Sequence, residues 1–329
     1  MAPPDFATSL PDFMRRFPNE RACFDYLIRA RWPDAFRCPG CACNRWVALS
    51  QRLAVECASC HKILSATAGT VMHGTKQPLC SWLLAAFLLV VDKRGISAAQ
   101  LQRALGIKRY EVAYQMLHKL RAAMVAPERE SLRGVVEVDE TLVGGIRKGA
   151  GKGTWKGAQQ IVIGAVEVRG GKTPGRIRLL QMPEGRATLA IQFLKENVDP
   201  DATVRTDGGY LYKDLLENGF NHDIVSVAHG ARQEDVLPTL HLAFSNLKTW
   251  LLGTLHGAVR KEHLQAYLNE FVFRFNRRRN LQAAFLRVLG IGTTVEGPTY
   301  AGIYEGTWSH KNPGRPRKAG GRPAEPRPA

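Results

Sequence analysis

Two pairs of cysteines and a set of carboxylates on an otherwise apolar strand carry the chemistry that can be read from this chain. "CPGC" supplies Cys38 and Cys41, "CASC" supplies Cys57 and Cys60, and fifteen residues separate the pairs. A C-x2-C turn presents two thiolates from one knuckle, and two knuckles complete a tetrahedral zinc site. Four protein ligands close such a site, so the zinc is expected to be structural. A module this short has little core, and the metal would supply most of its folding energy. Cys43 and His61 lie beside the pairs as possible substitutes. The seven cysteines are not expected to form a disulfide framework.

The second set centres on "GVVEVDETLVGG", residues 134–145. Val135, Val136, Val138, Leu142 and Val143 read as a buried strand, yet Glu137, Asp139 and Glu140 sit among them. A carboxylate in a packed strand is costly unless a cation, a metal or water partners it. Asp207, in "ATVRTDGG", ends a later strand. Two hard oxygen donors with open coordination positions suit Mg2+ or Mn2+, and a pair of such ions supports in-line attack at phosphorus. The plainer alternatives are a salt bridge for Asp139 and an ordinary turn for Asp207. In "EDVLPTLHLAFSNLKTWLLG", Leu237, Leu240, Phe244, Leu247 and Leu251 form the buried stripe of a helix. His241 and Lys248 share one border of it, about 10 Å apart along the axis. Asn246 points to solvent, and Glu234 and Asp235 precede the helix.

These residues need a scaffold. Residues 1–35 read as a helical lead-in, 36–66 as a zinc ribbon and 78–126 as helical. Residues 134–280 alternate strands and helices, and 304–329 form a basic tail expected to be disordered. In the α/β part, three strands are followed by helix, strand, helix ("YLYKDLLENG", ending at Gly219), strand and helix. That order makes a mixed five-stranded sheet with flanking helices, the order of a ribonuclease H-like domain. Within 78–126, Ala98, Leu101, Ala104 and Leu105 form an apolar stripe, and Gly106 makes a turn. Val112, Leu117 and Leu120 continue the stripe, leaving Lys108, Arg109, Lys119 and Arg121 on polar faces. This suits a helix-turn-helix.

The net charge of +17 and pI near 9.9 point to a polyanionic partner, most often nucleic acid. No apolar run reaches the ~20 residues of a membrane span, and the first residues lack the order of a signal peptide. A cytoplasmic protein is expected.

Several stretches together resemble a known family: "CPGC…CASC", "SATAGTVMHGTKQPLCSWLLA", "VEVDETLVGG", "IVIGAVE", "VRTDG" and "HLAFSNLKTWLLGTLHGAVRKEHLQAYLNEFVFRFNRR". From about residue 20 to 280 the chain is similar to prokaryotic DDE-type insertion-sequence transposases with a zinc ribbon and an ISXO-two-like catalytic domain. The resemblance implies Asp139 and Asp207 as the first two metal-binding acids. It puts the third ligand seven residues before Lys248, at His241, where a glutamate would be usual; Glu234 is the next candidate. It further implies double-stranded DNA as partner, both inverted repeats and target, through cleavage and strand transfer. A homo-oligomer on DNA and a nucleoid-associated location follow from it too. Lys248 would contact phosphate near the cut, and the "RFNRRRN" segment would add backbone contacts. The Gly-Arg-Pro units of the tail are similar to AT-hooks, against the plainer reading of a solvated basic tail. A ribonuclease H-like nuclease that does not transpose, and a zinc-ribbon regulator with an inactive catalytic domain, are the competing functions.

Overall fold

The computed structural model describes residue 7 and residues 9–32, 34–49, 53–92, 94–125, 129–144, 159–171, 173–225, 236–256, 259–292 and 297–305. Helices α1 (Leu10–Arg16) and α2 (Glu20–Arg31) start on side-chain caps from Ser9 and Asn19. Strands β1 (Trp46–Leu49), β2 (Ala54–Cys57) and β3 (Ile63–Ser65) make a small antiparallel sheet around the cysteine pairs. Phe36, Val55 and Ala66 of this segment share a buried cluster with the neighbouring helices. Arg31 ties the segment down by donating to the carbonyls of Ser65, Ala66 and Ala68. The ribbon therefore gains apolar support that its own length cannot provide.

Helix α3 (Leu79–Val91) is apolar on nearly every side and lies buried in that cluster. Pro78 gives it no side-chain cap; instead Glu20 of α2 accepts the Leu79 and Cys80 N–H groups at 2.8 and 2.9 Å. No disulfide framework is expected from the sequence, and among the described residues one pair does form: Cys23 and Cys80 join α2 to α3, with Cα atoms 5.6 Å apart. Helices α4 (Ala98–Leu105) and α5 (Tyr110–Ala122) follow. Ser97 and Gln100 form a capping box at the start of α4, and Gly106 ends it at φ +64°. Ala98 and Leu101 are buried, but Ala104 is exposed and leaves the expected stripe. Lys108 and Arg109 are exposed as anticipated, and Lys119 donates to the His73 carbonyl. Arg121 does not lie on a polar face: it is buried.

The second sheet has the order β6-β5-β4-β7-β8, from β4 (Val135–Val143), β5 (Gln160–Arg169), β6 (Thr173–Met182), β7 (Thr203–Thr206) and β8 (Asn221–Ile224). The first three strands are antiparallel; β7 runs parallel to β4, and β8 parallel to β7. Helix α6 (Ala187–Asn197) covers one face, and α7 (Pro238–Leu255) and α8 (Lys261–Asn276) the other. This is the mixed five-stranded sheet expected from the element order. The helix expected over 210–219 is instead a 3-10 turn, Tyr210–Tyr212, followed by further turns that close at Gly219 with φ +83°. The tighter winding lets Leu211, Tyr212 and Leu215 all reach the core beneath β7.

The open edge of β6 is covered by side-chain amides of α8. Asn276 bonds both the N–H and the carbonyl of Ile177, while Gln265 accepts from the Gln181 N–H. Beyond residue 280 the sequence reading placed no helix, yet α9 (Leu281–Gly292) and α10 (Tyr300–Tyr304) follow. Ala284, Phe285, Val288 and Leu289 of α9 return the chain to the N-terminal cluster. Residues 306–329, most of the expected tail, lie outside the described residues.

A buried ion pair links the two regions. Arg121 of α5 meets Glu270 of α8 at 2.8 Å with both side chains sequestered, and its guanidinium lies over the Tyr267 ring. Removing one partner strands a charge in low dielectric. Glu270→Ala should lower unfolding stability in urea by about 3–5 kcal/mol; a loss below ~1 kcal/mol, the range of exposed pairs, would show that the pair is not shielded.

Candidate active site and zinc knuckles

The Sγ atoms of Cys38, Cys41, Cys57 and Cys60 all lie within 4.8 Å of one another, and Cys38–Cys60 and Cys41–Cys57 stand at 3.5 Å. Sulfurs about 2.3 Å from a tetrahedral zinc would stand about 3.8 Å apart, so the four fit that ion. The Gly40 and Ser59 N–H groups approach the Cys38 and Cys57 sulfurs at 3.4 Å. Backbone donors from Cys60 and Ser59 lower the Cys57 thiol to about 6, which favours the thiolate that zinc requires. Cys43 turns to the Arg45 carbonyl and His61 pairs with Glu56 at 2.8 Å, so neither replaces a ligand.

The acidic strand β4 finds a different partner for each carboxylate. Glu137 is 1% exposed. Its Oε2 accepts the Leu240 N–H at 2.8 Å. Helix α7 begins with Leu237 and Pro238 and has no side-chain cap of its own, so Glu137 supplies one from the sheet. Glu140 faces the other way and accepts the hydroxyl of buried Tyr212 at 2.7 Å. Burial and the negative charges of Glu140, Asp139 and Asp207 hold the Tyr212 phenol well above its usual range.

Asp139 lies between these two. β7 pairs with β4 through Val135–Thr203, Val136–Val204 and Glu137–Arg205, and Asp207 follows just past its end, near enough for its charge to act on Asp139. Opposite Asp139 on β5 is Gly164, where a Cβ would stand 2.7 Å from the Phe244 ring. The missing side chain lets α7 lie against the sheet, three residues after His241. The imidazole Nε2 is 3.8 Å from Asp139 Oδ2, too long for a hydrogen bond. Asp139 Oδ1 accepts the Glu140 N–H at 2.8 Å, and Asp207 Oδ1 accepts the Gly209 N–H at 2.9 Å. Even so, burial raises Asp139 to about 7, and the Glu140 and Asp207 carboxylates push in the same direction. A buried acid beside two other carboxylates is short of positive charge, and the oxygen-rich donor set fits a hard divalent ion.

The assembly is looser than the cysteine cluster. Among the described residues, only the four cysteines form a group of three or more candidate ligands with every pair within 4.8 Å. Asp139 and His241 meet that limit at 3.8 Å, but with Asp207 the three do not. Lys248 is exposed two turns further along α7, and Asn246 faces solvent as expected. Glu234, the alternative third ligand, lies outside the described residues. Sequence reasoning missed the cap from Glu137 and the bond from Tyr212. Its one available signal was the crowding of acids in "VEVDE", with too few cations nearby to neutralise them.

Residues 131–276 match the ISXO2-like transposase domain, and residues 18–63 match the transposase zinc-ribbon domain. By these two matches, in this order, the chain belongs among the DDE insertion-sequence transposases. No curated protein matches it.

Two outcomes follow from this geometry. Cys57→Ser should lose stoichiometric zinc in metal analysis of purified protein and lower the Tm; retention of one zinc per chain would remove Cys57 from the site. Asp139 has a folded pKa above its usual ~3.9, so its ionised form destabilises the metal-free fold. That penalty is absent below about pH 4 and complete above about 7. Asp139→Asn should therefore raise the Tm of the protein in chelator at pH 8, with a gain that shrinks as pH falls towards 4. A gain that grows on acidification would contradict the assignment.

Proposed function

We propose that this chain cuts DNA at the ends of an insertion sequence and joins those ends to target DNA, with Asp139 and Asp207 as the core of a divalent-metal site. The observation that carries this reading is that Asp207, just past the end of β7, lies near Asp139 on the neighbouring parallel strand β4 of a β6-β5-β4-β7-β8 sheet. That strand order supports a ribonuclease H-like core. Asp139, Asp207 and His241 would hold the ions, which supply Lewis acidity and an activated water. Imidazole is softer than carboxylate, so the set favours Mn2+ more than a third acid would.

The protein's own residues set the geometry. Glu137 and Gly164 fix α7 against the sheet, which puts His241 beside Asp139. Glu140 and Tyr212 brace the other side. Lys248 offers its ammonium to a phosphate near the cut. Water displaces one phosphodiester oxygen and leaves a 3′-hydroxyl; that hydroxyl then attacks a target phosphodiester, expelling its 3′ oxygen, with no covalent link to protein. The zinc ribbon and the α4–α5 pair, with Lys108 and Arg109 exposed, bind the terminal inverted repeats. Two ends brought together imply a homo-oligomer on DNA, in a prokaryotic cytoplasm beside the nucleoid. Among the described residues no helix is long and apolar enough to cross a membrane.

One observation favours a second reading, a DNA-binding regulator with an inactive catalytic domain: an imidazole occupies the third position, and the three side chains do not converge tightly. A strand-transfer assay on the element's own ends decides. Joined product is expected in Mn2+ and less in Mg2+, and Asp139→Asn or Asp207→Asn should lower it by at least about 10³-fold. His241→Glu should raise the Mg2+ rate relative to Mn2+. Cleavage without joining would indicate a nuclease, and binding without cleavage the regulator.

A further inference from the structure

A cavity of about 350 Å3 lies where the N-terminal helical region meets β6 and α8, and arginines dominate it. Arg129, Arg176, Arg178, Arg277 and Arg287 line its wall, with Glu130 the lining acid among the described residues. Arg176 is already neutralised, since Glu167 and Glu130 both bond its guanidinium. Arg178 is not. It is 6% exposed. Its terminal nitrogens reach the Ile177 and Glu130 carbonyls, and its buried Nε has no partner. Arg277 stacks on the Phe273 ring, and Arg129 and Arg287 stand exposed at the rim. Burial, together with Arg129 and Arg176, depresses Arg178 to about 10, so it stays cationic at neutral pH under repulsion from its neighbours.

Five guanidiniums against Glu130, Glu167 and, beside Arg129, Glu196 leave a surplus of positive charge around a concave space. Guanidinium forks match the oxygens of phosphate, and an anion there would satisfy Arg178 and relieve the repulsion. The site is separate from the metal-binding acids. Asp139 shares a cross-strand row with Gly164 and Leu179, on the face covered by α7, whereas Arg178 is the next residue on β6 and points to the opposite face.

We propose that this arginine cavity binds a phosphate group of the DNA backbone, as a second DNA contact apart from the site of cleavage. The source of the phosphate rests on the function proposed above; the phosphate site itself does not. The full-length zinc-loaded chain is tested with two probes. Sodium tripolyphosphate is titrated at fixed ionic strength while Tm is read, and a labelled duplex carrying the element's end is followed by anisotropy across a salt series. The variants are Arg129→Ala with Arg287→Ala, both at exposed positions so that folding is retained, and Arg178→Gln.

Tripolyphosphate should raise the wild-type Tm and leave the variants nearly unmoved. Duplex affinity should fall at least about tenfold in the double variant, with a salt slope shallower by about 2. Both assays are run without Mg2+ or Mn2+, so neither depends on cleavage, which separates this site from any failure of the catalytic reading. Stabilisation by tripolyphosphate with unchanged duplex binding would overturn DNA as the source in favour of a free polyphosphate. Variants indistinguishable from wild type with both probes would overturn the site.

Discussion

The cost of holding carboxylates inside a sheet is the constraint on which this structure turns. Strand β4 carries Glu137 and Asp139 on its buried side, and neither forms an ion pair with a lysine or arginine among the described residues. Glu137 is compensated by the start of a helix, where unpaired N–H groups and the helix dipole favour negative charge. Asp139 receives one backbone N–H and an imidazole at arm's length, which is not enough to keep its carboxyl in the usual acidic range. A site in this condition has a standing demand for a cation. The fold meets the cost of Glu137 internally and, among the described residues, leaves that of Asp139 largely unmet.

The same device appears twice. Helices α3 and α7 both start at proline-containing segments without a local cap, and each receives a carboxylate from a distant part of the chain, Glu20 and Glu137 respectively. In the first case the contact locks two helices of the N-terminal core. In the second it fixes the helix that bears His241, one residue past the capped N–H. Gly164 completes the fit by admitting Phe244 to the sheet. Placement of the third candidate ligand is thus set by residues that would never touch DNA.

Much of this was legible in the sequence. Spacing alone identified the four cysteines, because C-x2-C knuckles need only local geometry. Alternating apolar residues gave the strands, and the element order gave the mixed sheet, with Asp207 just past the end of β7. What failed depended on partners remote in the chain. Arg121 reads as a surface cation on its own helix; only Glu270, on a helix much later in the chain, makes it a core residue. The segment 210–219 has helical spacing, but Leu211, Tyr212 and Leu215 all reach the core while Tyr210 and Leu216 stay exposed, and the chain winds in tighter turns. Helix α9 lay past the point where the catalytic pattern ended, and its packing on α2 and α3 has no local signal. The role of Glu137 was invisible for the same reason, although the question of what partners it was posed by the sequence itself.

The proposed function depends on one divalent-ion site shared by Asp139, Asp207 and His241. Iron(II) bound in such a site, with ascorbate and peroxide, generates hydroxyl radicals that cut the nearby backbone, and the fragments can be mapped by mass. Cuts grouped around positions 139, 207 and 241, and abolished together by Asp139→Asn, are the predicted result. Cuts at only one of the three, or a pattern unchanged in that variant, would contradict it.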